Sequence, residues 1–154
     1  MANQIRNLTI EGFKSIRKLE DFKLGSLNIL IGANGAGKSN FVGFFRLLRE
    51  LIAQRLQVAI ATVEGGADAC LHLGPKYTPE FAAKLRFGDN GYDFTLVPTP
   101  DNRFVFSQET THFWDDDHRD RPTPLGSGHT EAKLKDLKGD VAAYVRSAIS
   151  SWVV

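Results

Sequence analysis

Residues 27–39 read Leu27-Asn28-Ile29-Leu30-Ile31-Gly32-Ala33-Asn34-Gly35-Ala36-Gly37-Lys38-Ser39. The stretch from Gly32 fits the phosphate-binding pattern G-x-x-x-x-G-K-[S/T] at every fixed position. An apolar run leads into it and an amphipathic stretch leads out, the strand–loop–helix setting that the pattern requires. Gly32, Gly35 and Gly37 lack a Cβ, so the chain can turn sharply and its amides can approach an anion. Asn34 and Ala36 sit between them, and the helix that comes next places its positive dipole end at the same point. Lys38 suits the β- and γ-phosphates as a mobile point charge, and the Ser39 hydroxyl suits Mg²⁺, which prefers hard oxygen donors.

Outward from the loop, apolar residues at Phe41, Phe44, Phe45, Leu48, Leu51 and Ile52 recur at helical spacing. They predict a helix over about 38–60, stopped by Glu64-Gly65-Gly66. Its four basic residues read as a solvated face rather than a nucleic-acid footprint. Upstream, 4–13 and 18–24 read as strands about a turn at Lys14-Ser15-Ile16-Arg17. The near-continuous apolar run 27–31 predicts a third strand covered on both faces, as in a parallel sheet.

Downstream, 67–80 reads as irregular, with one helical turn near Asp68–Leu73. His72, between two leucines, reads as a packed side chain, because no partner lies at metal-site spacing. Over 81–111 apolar and polar residues alternate, broken by Asp89-Asn90-Gly91 and by Pro98–Asn102. That is an antiparallel meander with its aromatic residues on a buried face, rather than a base-stacking surface. Residues 112–130 read as a solvated loop, its Asp115–His118 cluster included. Residues 131–151 read as helical, with Asp140 a cap if Gly139 breaks the run. Trp152-Val153-Val154 reads as the start of another strand.

The chain has 154 residues, with 19 Lys and Arg against 18 Asp and Glu, for a net charge of +1. Neither length nor charge implies more than one domain or a nucleic-acid or membrane partner. The single cysteine, Cys70, forms no internal disulfide, which fits a reducing, cytoplasmic setting. There is no secretory leader pattern and no apolar run long enough to span a bilayer.

The order of elements around Gly-Ala-Asn-Gly-Ala-Gly-Lys-Ser-Asn resembles the N-terminal part of the ATP-binding heads of the ABC superfamily. It is most like the branch that holds RecF, SMC and the overcoming-lysogenization-defect ATPases. Asn40 directly after Lys38-Ser39, and Gly12-Phe13-Lys14-Ser15, carry that resemblance. Glu64-Gly65-Gly66-Ala67-Asp68 and Phe87-Gly88-Asp89-Asn90-Gly91-Tyr92 add to it.

The resemblance implies an α/β P-loop NTPase core, in its N-terminal portion, with 81–111 as an antiparallel β-meander lobe within a single domain over 1–154. It implies ATP and Mg²⁺ as cofactors, with Lys14, Ser15 and Asn40 joining Gly32, Asn34, Gly35, Ala36, Gly37, Lys38 and Ser39 about the nucleotide. It also implies closure of two heads as a homodimer, and DNA or phage-defence work for the full-length protein. Gln108 resembles the family's metal-sensing glutamine, the other reading being a strand residue that is buried or faces solvent. The acidic pair at the end of an apolar strand and the signature loop, both needed for hydrolysis, are absent from this sequence. No catalytic residue is therefore assigned. The expected function is an ATP-binding segment of a longer ATPase, inactive alone and completed by the rest of its own chain. The alternatives are a nucleotide sensor that does not hydrolyse and a small P-loop kinase or GTPase.

Overall fold

The structure, a computed structural model, describes residues 4–151, apart from the side chains at positions 63 and 64. Strands β1 (Asn7–Phe13) and β2 (Ile16–Lys23) form a first hairpin. Helix α1 (Lys38–Ile52) follows the glycine-rich loop, and the short helices α2 (Leu56–Ala59) and α3 (Ala67–Cys70) flank a π-helical turn, Ile60–Glu64. Strands β3 (Phe81–Arg86), β4 (Asn90–Pro98), β5 (Phe104–Phe113) and β6 (Thr123–Gly126) come next. A single 3₁₀ turn at Lys133–Lys135 precedes helix α4 (Asp140–Ser150).

The strands make one six-stranded sheet in the order β2-β1-β3-β4-β5-β6, antiparallel at every pair. The expected meander forms its middle. Leu8 and Ile10 of β1, Phe81, Ala83 and Leu85 of β3, Tyr92, Phe94 and Leu96 of β4, and Phe104 and Phe106 of β5 are all buried. Strict alternation puts them on one face. Phe44, Leu47, Leu48 and Leu51 of α1 and Val145, Ala148 and Ile149 of α4 complete the same core. The aromatic residues are core, as their period-2 spacing indicates: Phe81 packs against Phe13, Phe44, Phe94 and Phe104.

Four sequence expectations change. Residues 27–31 form no strand, and among the described residues no two strands pair in parallel, so a parallel P-loop core is not seen. Leu27, Ile29 and Ile31 are 79%, 74% and 91% exposed. A strand exists only where a neighbour takes its amides and carbonyls, and among the described residues no strand pairs with this run. The side chain of Asn28 instead closes a local ring, accepting from Gly25 N–H and donating to Gly25 O, each at 3.0 Å.

The helix predicted to reach residue 60 ends at Ile52. Gln54 adopts φ 57°, Gln54 N–H bonds Leu51 O (3.1 Å) and Arg55 N–H bonds Glu50 O (2.9 Å). This is a Schellman ending with glutamine at the left-handed position. Distant groups hold it there: Gln54 Nε2 donates to Ala132 O (3.1 Å) and to Asp136 (2.9 Å).

Residues 131–139 are not α-helical. Gly139, at φ 151°, is the N-cap of α4, and Asp140 is its first helical residue, with no side-chain cap bond. Residues 112–130 are largely exposed, as expected, but carry regular structure that a solvated loop would lack. β5 runs to Phe113, Trp114 bridges Asp120, and β6 pairs back on β5. Asp115 organises the turn: its carboxylate accepts from Asp117 N–H (3.1 Å), Arg119 N–H (3.0 Å) and the Arg121 guanidinium. The Arg119 amide above all holds this carboxyl below the usual aspartate range, with help from Arg121. The strand expected from Trp152 lies outside the described residues.

One buried carboxylate, unremarked in the sequence, joins the sheet to the segment that leads into α4. A bulge inserts Ser107 between the pairs Thr95↔Gln108 and Leu96↔Phe106, which turns Glu109 onto the inner face. Glu109 is 1% exposed. It accepts from Tyr92 OH (2.9 Å), His129 Nε2 (2.6 Å), Lys133 N–H (3.0 Å) and Leu134 N–H (3.2 Å). Four donors satisfy both its oxygens, the condition under which burying a carboxylate is tolerable.

Candidate functional site

The loop turns by an Ala36 N–H to Ala33 O bond of 3.2 Å, and Gly35 and Gly37 take φ 83° and 90°. Gly37 is the N-cap of α1, and the first helical bond runs from Phe41 N–H to Gly37 O (3.0 Å). The amides of Lys38, Ser39 and Asn40 therefore have no acceptor within the helix. No side chain caps this end, and no acidic residue sits in its first turn. It is the uncompensated positive terminus of a 15-residue helix, opening beside the glycines.

Lys38 folds back across the loop, donating from Nζ to Gly32 O and to Ala33 O (2.7 Å). Its ammonium thus lies inside the arc, held by the two carbonyls at the start of the loop. A Cβ on Gly32 would stand 3.2 Å from the Ala36 Cβ and 3.7 Å from that ammonium. Gly32 is open for a packing reason. Gly35 is set instead by its backbone angle, since a Cβ there would meet nothing within 4 Å. Asn34, Ala36 and Ser39 are exposed along the rim.

The first hairpin reaches the same place. Asn40 Nδ2 donates to Ser15 Oγ at 2.7 Å, and a Cβ on Gly37 would lie 2.7 Å from that hydroxyl. Ser15 follows Lys14, which has φ 50° and holds its ammonium 5.7 Å from the centre of the Phe13 ring. The turn is braced from behind by the end of α3. Lys14 N–H bonds Cys70 O (2.7 Å), His72 N–H bonds Gly12 O (3.0 Å), and His72 Nδ1–H donates to Lys14 O (2.6 Å). His72 is a half-buried packed residue, and its carbonyl also accepts from the Thr78 hydroxyl.

Loop, helix start, Lys14, Ser15 and Asn40 are therefore brought together. Gln108 is not: it is exposed on β5, opposite Thr95, and makes no hydrogen bond to the loop. Among the described residues no group of three or more His, Cys, Asp or Glu side chains is placed to hold a metal ion. The brace of Cys70, Leu71 and His72 was invisible in the sequence. It lies more than fifty residues beyond the turn it supports, and no spacing links the two.

Comparison of the chain with protein-family models, with curated proteins and with solved structures returns no match in any of the three. Among the described residues, no helix is long and apolar enough to cross a membrane.

Proposed function

We propose that this chain binds Mg-ATP through residues 32–39, as the N-terminal part of an ABC-type, RecF-like ATPase head. The observation that carries the reading is the ammonium of Lys38 inside an arc that ends on an uncapped helix start. A triphosphate there would receive the amides of Gly35, Gly37, Lys38 and Ser39 and the charge of Lys38. Ser39, exposed one residue later, supplies the hydroxyl for Mg²⁺, and the ion would neutralise the phosphate oxygens. Ser15 and Lys14 add a second wall from the hairpin. The apolar run 27–31 would pair with the rest of the ATPase chain, which would also bring the acidic residues that hydrolysis requires.

The test is calorimetric titration with ATP and with GTP, each with and without Mg²⁺. ATP is expected to bind more tightly with Mg²⁺ than without it. Lys38→Ala should weaken binding by at least about tenfold, or about 1.4 kcal/mol, while circular dichroism stays unchanged. Equal affinity in that variant would remove Lys38 from the site. A clear preference for GTP would replace the ATPase reading with a GTPase one.

A further inference from the structure

A second concentration of positive charge lies at the other end of α1. The C-terminal turn of α1, the chain just past it, the 3₁₀ turn and α4 enclose a groove of about 640 Å³. Arg49, Arg55, Lys135 and Arg146 line it, with Glu50 as its one carboxylate and Ser150 as a hydroxyl on its rim. Eleven helical residues separate Lys38 from Arg49, roughly 16 Å at 1.5 Å per residue, so this is not the phosphate loop.

The charges do not cancel. Glu50 is matched by Arg55, which donates to it at 2.7 and 3.0 Å, and this bond is the main reason its carboxyl is held below the usual glutamate range. Arg49, Lys135 and Arg146 remain. Arg146 is fixed by Nη1 donating to Leu134 O (2.7 Å) and Leu137 O (2.8 Å), a pair of neutral acceptors that leaves its charge uncompensated. Asp136 faces Gln54, which donates to it at 2.9 Å. The negative ends of α1 and α4 offset part of the excess, but each helix terminus carries only about half a charge against the three unmatched cations.

We propose that this groove is a binding site for a phosphate-bearing anion, distinct from the loop at 32–39. Two guanidinium groups, Arg49 and Arg146, and the Lys135 ammonium around a concavity suit an anion of several charges. The planar fork of arginine matches the paired oxygens of phosphate. The volume falls within the usual range for small-ligand sites, about 300–1,000 Å³. The phosphate can come from a free polyphosphate or from the phosphodiester backbone of a nucleic acid strand.

The experiment uses the full chain carrying Lys38→Ala, so that the loop does not report. It is titrated with inorganic tripolyphosphate by calorimetry and with a fluorescein-labelled single-stranded oligonucleotide by anisotropy. Arg49 and Lys135 are both exposed, so Arg49→Glu combined with Lys135→Glu should leave the circular dichroism spectrum unchanged. That combination is expected to weaken binding by at least about tenfold. Loss seen with tripolyphosphate alone identifies a free anion as the ligand, and loss seen with the oligonucleotide identifies a strand. The proposal is overturned if neither probe binds below about 1 mM, if charge reversal leaves both affinities unchanged, or if polyglutamate binds more tightly than either. Mg-ATP titration of the charge-reversed chain with Lys38 restored keeps the two sites apart, because its affinity should match that of the unaltered protein.

Discussion

Asn40 donates to the hydroxyl of Ser15 across 2.7 Å, joining the first turn of α1 to the tip of the β1–β2 hairpin. With its oxygen occupied by this donor, the Ser15 hydroxyl keeps its own proton to give away. The same oxygen stands where a side chain at Gly37 would have to go. The hairpin tip and the glycine-rich loop are thus one unit, although the two partners are twenty-five positions apart in sequence.

That unit predicts coupled effects on nucleotide binding. Ser15→Ala and Asn40→Ala should each weaken Mg-ATP binding by several-fold. The double variant should lose less than the sum, with a coupling of about 0.5–1.5 kcal/mol. A double-mutant cycle by calorimetry measures it. Strict additivity would mean that the two residues act separately, and that the hairpin tip has no part in holding the ligand.

Gly37 and Gly35 should respond differently to alanine. Both have positive φ, so each substitution meets the left-handed penalty of about 1–2 kcal/mol. Only at Gly37 does the new methyl also meet Ser15. Gly37→Ala is therefore expected to cost more stability than Gly35→Ala in urea denaturation, and to weaken Mg-ATP binding more. Adding Ser15→Gly to Gly37→Ala should recover part of the stability, since it removes the obstructing hydroxyl. No recovery would assign the whole penalty to the backbone.

The meander and the first hairpin were legible because their information is local. Alternation, Asp89-Asn90-Gly91 and the turn Lys14-Ser15-Ile16-Arg17 each act within a few residues. The features that were not legible depend on distant partners. Gln54 ends α1 without a glycine because Ala132 and Asp136 hold its side chain. Glu131 caps α2 from the far side of the chain, accepting from Leu56 N–H (2.9 Å) and Gln57 N–H (3.0 Å). Glu109 reaches the core only because one residue is inserted in β5, and a bulge leaves no mark in an alternating pattern. For the candidate site, the loop and Ser15 were readable as motifs, whereas the brace from Cys70 and His72 was not.

Tyr92 gives the protein a distinct alkaline signature. Its hydroxyl is buried and donates to Glu109, and burial first, then the Glu109 charge, pushes its pKa well above 10.0. The folded chain therefore keeps this proton at pH values where the unfolded chain releases it. The stabilisation is complete below about pH 10 and is lost as pH rises beyond it, at up to about 1.4 kcal/mol per pH unit. Tyr92→Phe should cost about 1–2 kcal/mol at neutral pH by leaving Glu109 short of a donor. It should also make the loss of stability above pH 10 shallower than in the unaltered chain. Urea denaturation at a series of alkaline pH values tests this, and parallel curves for the two proteins would exclude Tyr92 as the source.

The apolar run before the phosphate loop supplies the sharpest contrast between the expected and observed folds. A strand covered on both faces would bury Ile31, and a lysine there would cost several kcal/mol through an unpaired buried charge. In the structure Ile31 is 91% exposed and Leu27 79%, so the lysine would simply point into water. Ile31→Lys is expected to leave the melting temperature of this chain within a degree or two, because surface substitutions stay within about ±0.5 kcal/mol. It should also lower any tendency to self-associate, since an exposed run of this kind attracts other apolar surface. Calorimetry and analytical ultracentrifugation read the two effects independently. A fall of about 10 °C or more would show that Ile31 packs against something in solution, and the run would then belong to the core after all.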